Sequence, residues 1–170
     1  VITYVQVLIS MGFMGYTSAV EPVFSYHYGS GNVEMRKRVF RLSILWNLIL
    51  GAVAMLLLFV LRSRVVGIFF RPETDFYDIA SLGYLIVLPA CLFTGINIFG
   101  SGLFTAFGNG VVSGLLSLIR SFVEITCCLY GLKALFGGPE LWSAWPAAEL
   151  ISIFVTLVAL KKYRVKYQYS

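Results

Sequence analysis

The chain has 170 residues, 59% of them hydrophobic and 12% charged, with a formal charge of +5 and a mean hydropathy of +0.86. A soluble domain is about 25% charged, and a soluble core of this length cannot hide so much apolar surface, so lipid must solvate much of it. On such a chain the positive charge is first a topology signal, and no basic run is interleaved with stacking aromatics in a soluble segment, which sets nucleic-acid binding aside.

A bilayer core takes about 20 apolar residues per helix, and five stretches qualify: residues 4–28, 39–61, 78–107, 111–135 and 141–160. The fold class this predicts is an all-α polytopic membrane bundle. The first span carries Glu21-Pro22, ends in Gly29-Ser30-Gly31-Asn32 and runs into Arg36, Lys37, Arg38 and Arg41. Asn47 is the most polar member of the second. The connection that follows holds Arg62, Arg64 and Arg71, offset by Glu73, Asp75 and Asp78. Within it Arg64 to Phe70 reads as an interfacial segment lying on the membrane surface. The third span is punctuated by Gly83, Pro89, Gly95, Gly100 and Gly102. Arg120 and Glu124 sit in the fourth, and Pro146 and Glu149 in the first half of the fifth. Residues 161–170 form a basic tail with Lys161, Lys162, Arg164 and Lys166, in which Tyr163, Tyr167 and Tyr169 fit an interface anchor.

Five crossings put the first connection, the short Gly108-Asn109-Gly110 turn and the tail on one side. The positive-inside rule makes that side cytoplasmic, against a weak conflict from the three arginines of the second connection. The chain begins at Val1 with neither a charged leader region nor a small-residue cleavage site. It therefore reads as part of a longer membrane protein rather than as one starting with a signal peptide.

Ionisable groups inside a span cost too much to be packing filler. Glu21 lies beside Pro22, which has no N–H to donate, so the Ser18 carbonyl one turn earlier is freed. A carboxylate next to a freed carbonyl makes a cation or proton site, or else Glu21 reaches headgroup water near the interface. Arg120 and Glu124 are four apart on one helical face. They form a structural ion pair, or Glu124 exchanges Arg120 for a cation during turnover. Thr94 and Asn97, in a helix made bendable by Pro89 and Gly95, line a cavity or bond to a neighbouring helix. Gly102 and Ala106 form a small-xxx-small pair that admits another helix. Glu149 contributes to a site or only complements the dipole of its helix start, with Trp142 and Trp145 as an aromatic belt. His27 reads as interfacial. Cys91, Cys127 and Cys128 read as reduced packing residues, and a single histidine excludes a multi-histidine metal site. No nucleophile elbow, phosphate loop or metal-binding helix motif is present.

Three segments carry a family resemblance. PVFSYHYGSGN at residues 22–32, followed by basic residues, resembles a helix end of the multidrug and toxic compound extrusion (MATE) transporters. FGSGLFTAFGNGVVSGLLSLIRS at 99–121 and LWSAWPAAE at 141–149 are similar to two later segments of that family, in the same order and spacing. The resemblance implies a twelve-helix transporter of two six-helix lobes, with this chain supplying the eighth to twelfth helices. It also implies export of cationic or amphipathic compounds in exchange for Na⁺ or H⁺ through a cavity between the lobes. No cofactor beyond the coupling ion is implied. The partners are small cationic or amphipathic substrates, the bilayer and the missing N-terminal lobe, and the setting is a bacterial plasma membrane. Two departures stand out. Several family members have an acid in the tenth helix where this chain offers Thr94 and Asn97, and most relatives are uncharged at the position of Glu21. The cation site then falls to Glu21, to Glu124 or to the missing lobe, with Pro22, Pro89 and Gly95 as hinge positions.

The function expected is a cation-coupled multidrug antiporter working by alternating access, in which each ligand must bind the two states differently. A lipid-linked oligosaccharide flippase of the same superfamily would need a larger, more cationic cavity. A membrane enzyme would need a catalytic set that one His and three packed Cys do not provide. A non-transporting structural subunit should tolerate neutralisation of Glu21 and Glu124.

Overall fold

The computed structural model describes residues 2–124 and 143–170, together with 126, 130 and 131. Among the described residues the secondary structure is helical: α1 (Ile2–Gly29), α2 (Val33–Phe69), α3 (Asp75–Val87), α4 (Ala90–Ala106), α5 (Gly110–Leu118), a π-helical continuation of α5 (Ile119–Glu124) and α6 (Ala144–Tyr167). By length and composition α1, α2 and α6 can each cross a membrane, and α3 with α4 makes one further, broken span. Gly110–Phe122 is a shorter apolar helix, and of the fourth expected span 125, 127–129 and 132–135 lie outside the described residues.

Two Gly-Asn pairs turn the chain. After α1, Gly31 takes a positive φ of 69°, Asn32 N donates to His27 O at 3.1 Å and Gly31 N donates to Tyr28 O at 3.2 Å. This is the glycine-capped helix end in which the last carbonyls are satisfied by the reversing chain. Asn32 then starts the next helix, its side chain accepting Met35 N at 3.0 Å. Gly108 (φ 72°) and Asn109 repeat the device between α4 and α5, with Asn109 N on Phe104 O at 2.8 Å and the Asn109 side chain accepting Val112 N at 3.3 Å.

α4 is the hub, packed against α1, α2, α5 and α6. Its glycines, and one facing it, let the backbones close in. A Cβ on Gly51 of α2 would stand 2.8 Å from Cys91 O; one on Gly95 would meet Phe13 and Asn47; one on Gly100 would meet Thr156; and one on Gly102 would meet Thr17 and Glu21. Ser25 of α1 donates to Ala106 O at 2.9 Å, so α1 crosses α4 over the Gly102–Ala106 pair.

Several expectations change. The third span is two helices, α3 and α4, meeting at 49°. The break falls at Leu88–Pro89, where proline cannot donate to the preceding turn. Gly95 lies inside continuous α4 and serves close packing. α1 runs through Pro22 without a break. Arg64 to Phe70 is not a separate surface segment, because α2 continues to Phe69 and is 37 residues long, about 55 Å. The tail is helical to Tyr167, and Tyr167 and Tyr169 are buried rather than anchored in the interface. Phe107 stacks on Tyr167 with centroids 4.7 Å apart, Asn109 Nδ2 donates to Tyr167 Oη at 3.0 Å, and Tyr169 Oη donates to Leu160 O. Burial pushes the Tyr169 phenol pKa up. Trp145 is likewise buried, not part of a belt; Trp142, Cys127 and Cys128 lie outside the described residues. Cys91 is a buried free thiol.

The same contacts bring the ends of α1, α4 and α6 together with the starts of α2 and α5. Arg36, Lys37, Arg38 and Arg41 on α2 therefore share one end of the bundle with Lys161, Lys162, Arg164 and Lys166 on α6. Arg36 is buried there, its guanidinium 5.4 Å from the centroid of the Tyr28 ring.

Candidate functional site: two polar cavities across the central helix

Two cavities open along α1, one against α4 and α5, the other against the π-helical segment and α6. The first, of about 160 Å³, holds Glu21 with Thr17, Ser18, Ser101, Thr105 and Ser113. The Glu21 carboxylate lies over Gly102, where a Cβ would come within 2.7 Å of Oε1. Only the bare glycine leaves the carboxylate that place. Ser18 also lines the cavity, and Pro22 provides no N–H for its carbonyl. Thr105 and Ser113 share a hydrogen bond at 2.7 Å. Thr17 Oγ1 is buried and has no partner among the described residues, although it lines the cavity. Such an orphan costs about 1–3 kcal/mol unless something else supplies a bond.

The second cavity, of about 180 Å³, is lined by Gln6, Ser10, Arg120, Ser121, Trp145 and Glu149. Glu149, on the second turn of α6, is buried. Asn97 Nδ2 donates to its Oε2 at 2.6 Å and to its backbone carbonyl at 3.1 Å, and Trp145 Nε1 donates to Oε1 at 3.2 Å. Arg120 Nη1 stands 3.8 Å from Oε1. The carboxylate is thus held by donors from α4 and α6 and faced by a guanidinium from the π-helical segment.

Of the residues singled out from sequence, the fold gathers Arg120, Asn97 and Glu149 into one cluster. It sets Glu21 apart in the other cavity. Thr94 lines neither; it is fully buried and its hydroxyl donates to Ala90 O at 2.9 Å within its own helix. The i, i+4 pairing of Arg120 with Glu124 assumed α-helical stacking, but residues 119–124 are π-helical and bond i to i+5. The partner of Arg120 among the described residues is Glu149; the Glu124 side chain lies outside them. Sequence reasoning missed the hydroxyl and amide linings. Their signal is present as helical spacing, Gln6-Ser10-Thr17-Glu21 on one face of α1 and Ser113-Ser117-Ser121 opposite.

Apolar helices around a central one, with charged and hydroxyl groups lining polar cavities between them, define a polytopic integral membrane protein. A family model, MatE, matches residues 2–129. The chain belongs to that family, whose members are transporters. The segments 22–32 and 99–121 fall within the match, and 141–149 lies beyond it. No curated protein and no solved structure matches the chain.

Proposed function

We propose that this chain forms most of the second lobe of a cation-coupled antiporter. In it Glu21 is the carboxylate that binds the coupling ion, Na⁺ or H⁺. One observation carries the reading: a carboxylate sits inside spanning helices in a cavity whose other polar groups are hydroxyl oxygens, one of them, Thr17 Oγ1, buried and unpartnered among the described residues. A lone charge at bilayer depth costs at least about 2.5 kcal/mol on insertion scales. Binding a proton or Na⁺ removes that cost, so occupancy can bias one conformation over another. Export of cationic or amphipathic compounds follows when substrate and coupling ion favour opposite states. The collected basic residues of α2 and α6 support a cytoplasmic placement for that end, and with it the C-terminus. The bend at Pro89 gives α3 a place to move relative to α4.

The test is efflux of a fluorescent cationic dye from proteoliposomes holding the full-length transporter, driven by a Na⁺ gradient and separately by a pH gradient. One gradient should drive efflux, and Glu21→Gln should abolish it while leaving the protein folded. Unchanged coupled efflux in Glu21→Gln refutes the assignment.

A further inference from the structure

The second cavity has the opposite chemistry from the first. Its carboxylate is already engaged: Trp145 and Asn97 donate to the two oxygens of Glu149. A metal cation there would have to share Glu149 with the Arg120 guanidinium, 3.8 Å from its Oε1. Its guanidinium is open. Among the described residues Arg120 donates no hydrogen bond; its contact with Glu149, at 3.8 Å, lies beyond hydrogen-bond range, and its side chain is 22% exposed. A guanidinium presents five donors in a planar fork that fits a carboxylate bidentately. Ser10, Ser121 and Gln6 add polar groups at the same wall. The segment carrying Arg120 and Ser121 is π-helical, a backbone form frequent at functional sites.

The two cavities are neighbours. Asn97 touches Glu149 in one while the next residue, Ile98, lines the other, and on the opposite wall Ser117 and Arg120 are about one turn apart. α1 serves both, with Ser10 and Glu21 separated by about 16 Å along its axis. We propose that the Arg120 cavity is a carboxylate subsite, held in position by Glu149. The groove then takes zwitterionic amphiphiles, with the acid group on Arg120 and a cationic nitrogen toward Glu21. The nitrogen's placement rests on the function proposed for Glu21; the carboxylate subsite does not.

Binding of radiolabelled 12-aminododecanoic acid, whose extended chain separates its charges by about 15 Å, and of its methyl ester tests this on the full-length transporter in lipid nanodiscs. Arg120→Gln should weaken the acid at least about tenfold and leave the ester within about twofold, as loss of charge-assisted bonds requires. Arg120→Lys keeps the charge beside Glu149 but loses the fork. It should weaken the acid about threefold or more, and carries the test if the glutamine variant does not fold. Glu149→Gln removes the competing carboxylate and keeps an acceptor for Trp145, so the acid should bind more tightly. Equal weakening of acid and ester by both arginine variants overturns the proposal, as does loss of ester binding in Glu149→Gln, which would make Glu149 a cation site. No gradient enters this measurement, so it stands or falls separately from coupled efflux.

Discussion

Gly51→Ala tests the packing of α2 on the hub. The added Cβ would lie 2.8 Å from Cys91 O, 3.2 Å from Leu92 Cα and 3.4 Å from Cys91 C. These are backbone atoms of α4 just past the Pro89 bend, so no rotamer change relieves the contact and the helices must part by roughly half an ångström. Overpacking of this kind costs about 1–3 kcal/mol. Replacing glycine by alanine inside a helix returns about 1 kcal/mol. Gly67 supplies the control, because it lies on the same helix and nothing stands within 4 Å of its Cβ position. Gly67→Ala gains the propensity without the clash, so the difference between the two variants isolates the steric cost at about 1–3 kcal/mol. The shift is about 2–4 °C per kcal/mol at 150–250 residues and smaller for a longer chain, so thermal unfolding of the full-length protein in detergent should put Gly51→Ala at least about a degree below Gly67→Ala. Melting within a degree of one another, or the reverse order, refutes the α2–α4 contact.

Thr17→Val removes an orphaned buried hydroxyl without changing shape. It should leave stability unchanged or raise it by about 1 kcal/mol, yet lower the affinity for the coupling ion; equal ion dependence of efflux in both proteins would remove Thr17 from the site. Asn97→Ala takes the donor from Glu149 Oε2 and should lower the melting point by the equivalent of about 1–3 kcal/mol. Tyr169→Phe should cost only the hydroxyl's bond to Leu160, about 0.5–1.5 kcal/mol, whereas Tyr169→Ala empties a ring site in the Phe107–Tyr167 cluster and should cost about 3–5 kcal/mol. Chemical denaturation of the two tyrosine variants side by side checks that ratio.

Helix content was legible from apolar run length, and the turns at Gly31-Asn32 and Gly108-Asn109 from glycine followed by a capping side chain. Glu21 could be singled out because a carboxylate in a span is costly wherever it points. The Arg120–Glu149–Asn97 cluster was not legible. Asn97 and Glu149 are 52 residues apart, and helical periodicity says which face a residue shares within one helix, not which helix lies opposite. The i, i+4 rule misled at Arg120 because nothing in IRSFVE announces a π-helix. The tail tyrosines misled for a related reason. Tyr among lysines fits a headgroup belt as well as a buried cluster, and only the return of the chain after Gln168, in the left-handed conformation, decides between them.

The length of α2 has a mechanical consequence. Between Arg41 and Arg62 no side chain is charged, and those 21 steps rise about 31 Å, close to the thickness of a bilayer's hydrocarbon layer. The two arginines act as collars that fix how deep the helix rides, and they put Gly51 near the midplane. A thinner bilayer must therefore tilt α2 or compress locally. Because α2 meets the backbone of α4 at Gly51 with no slack, that tilt is passed directly to α4, the helix that lines the Glu21 cavity.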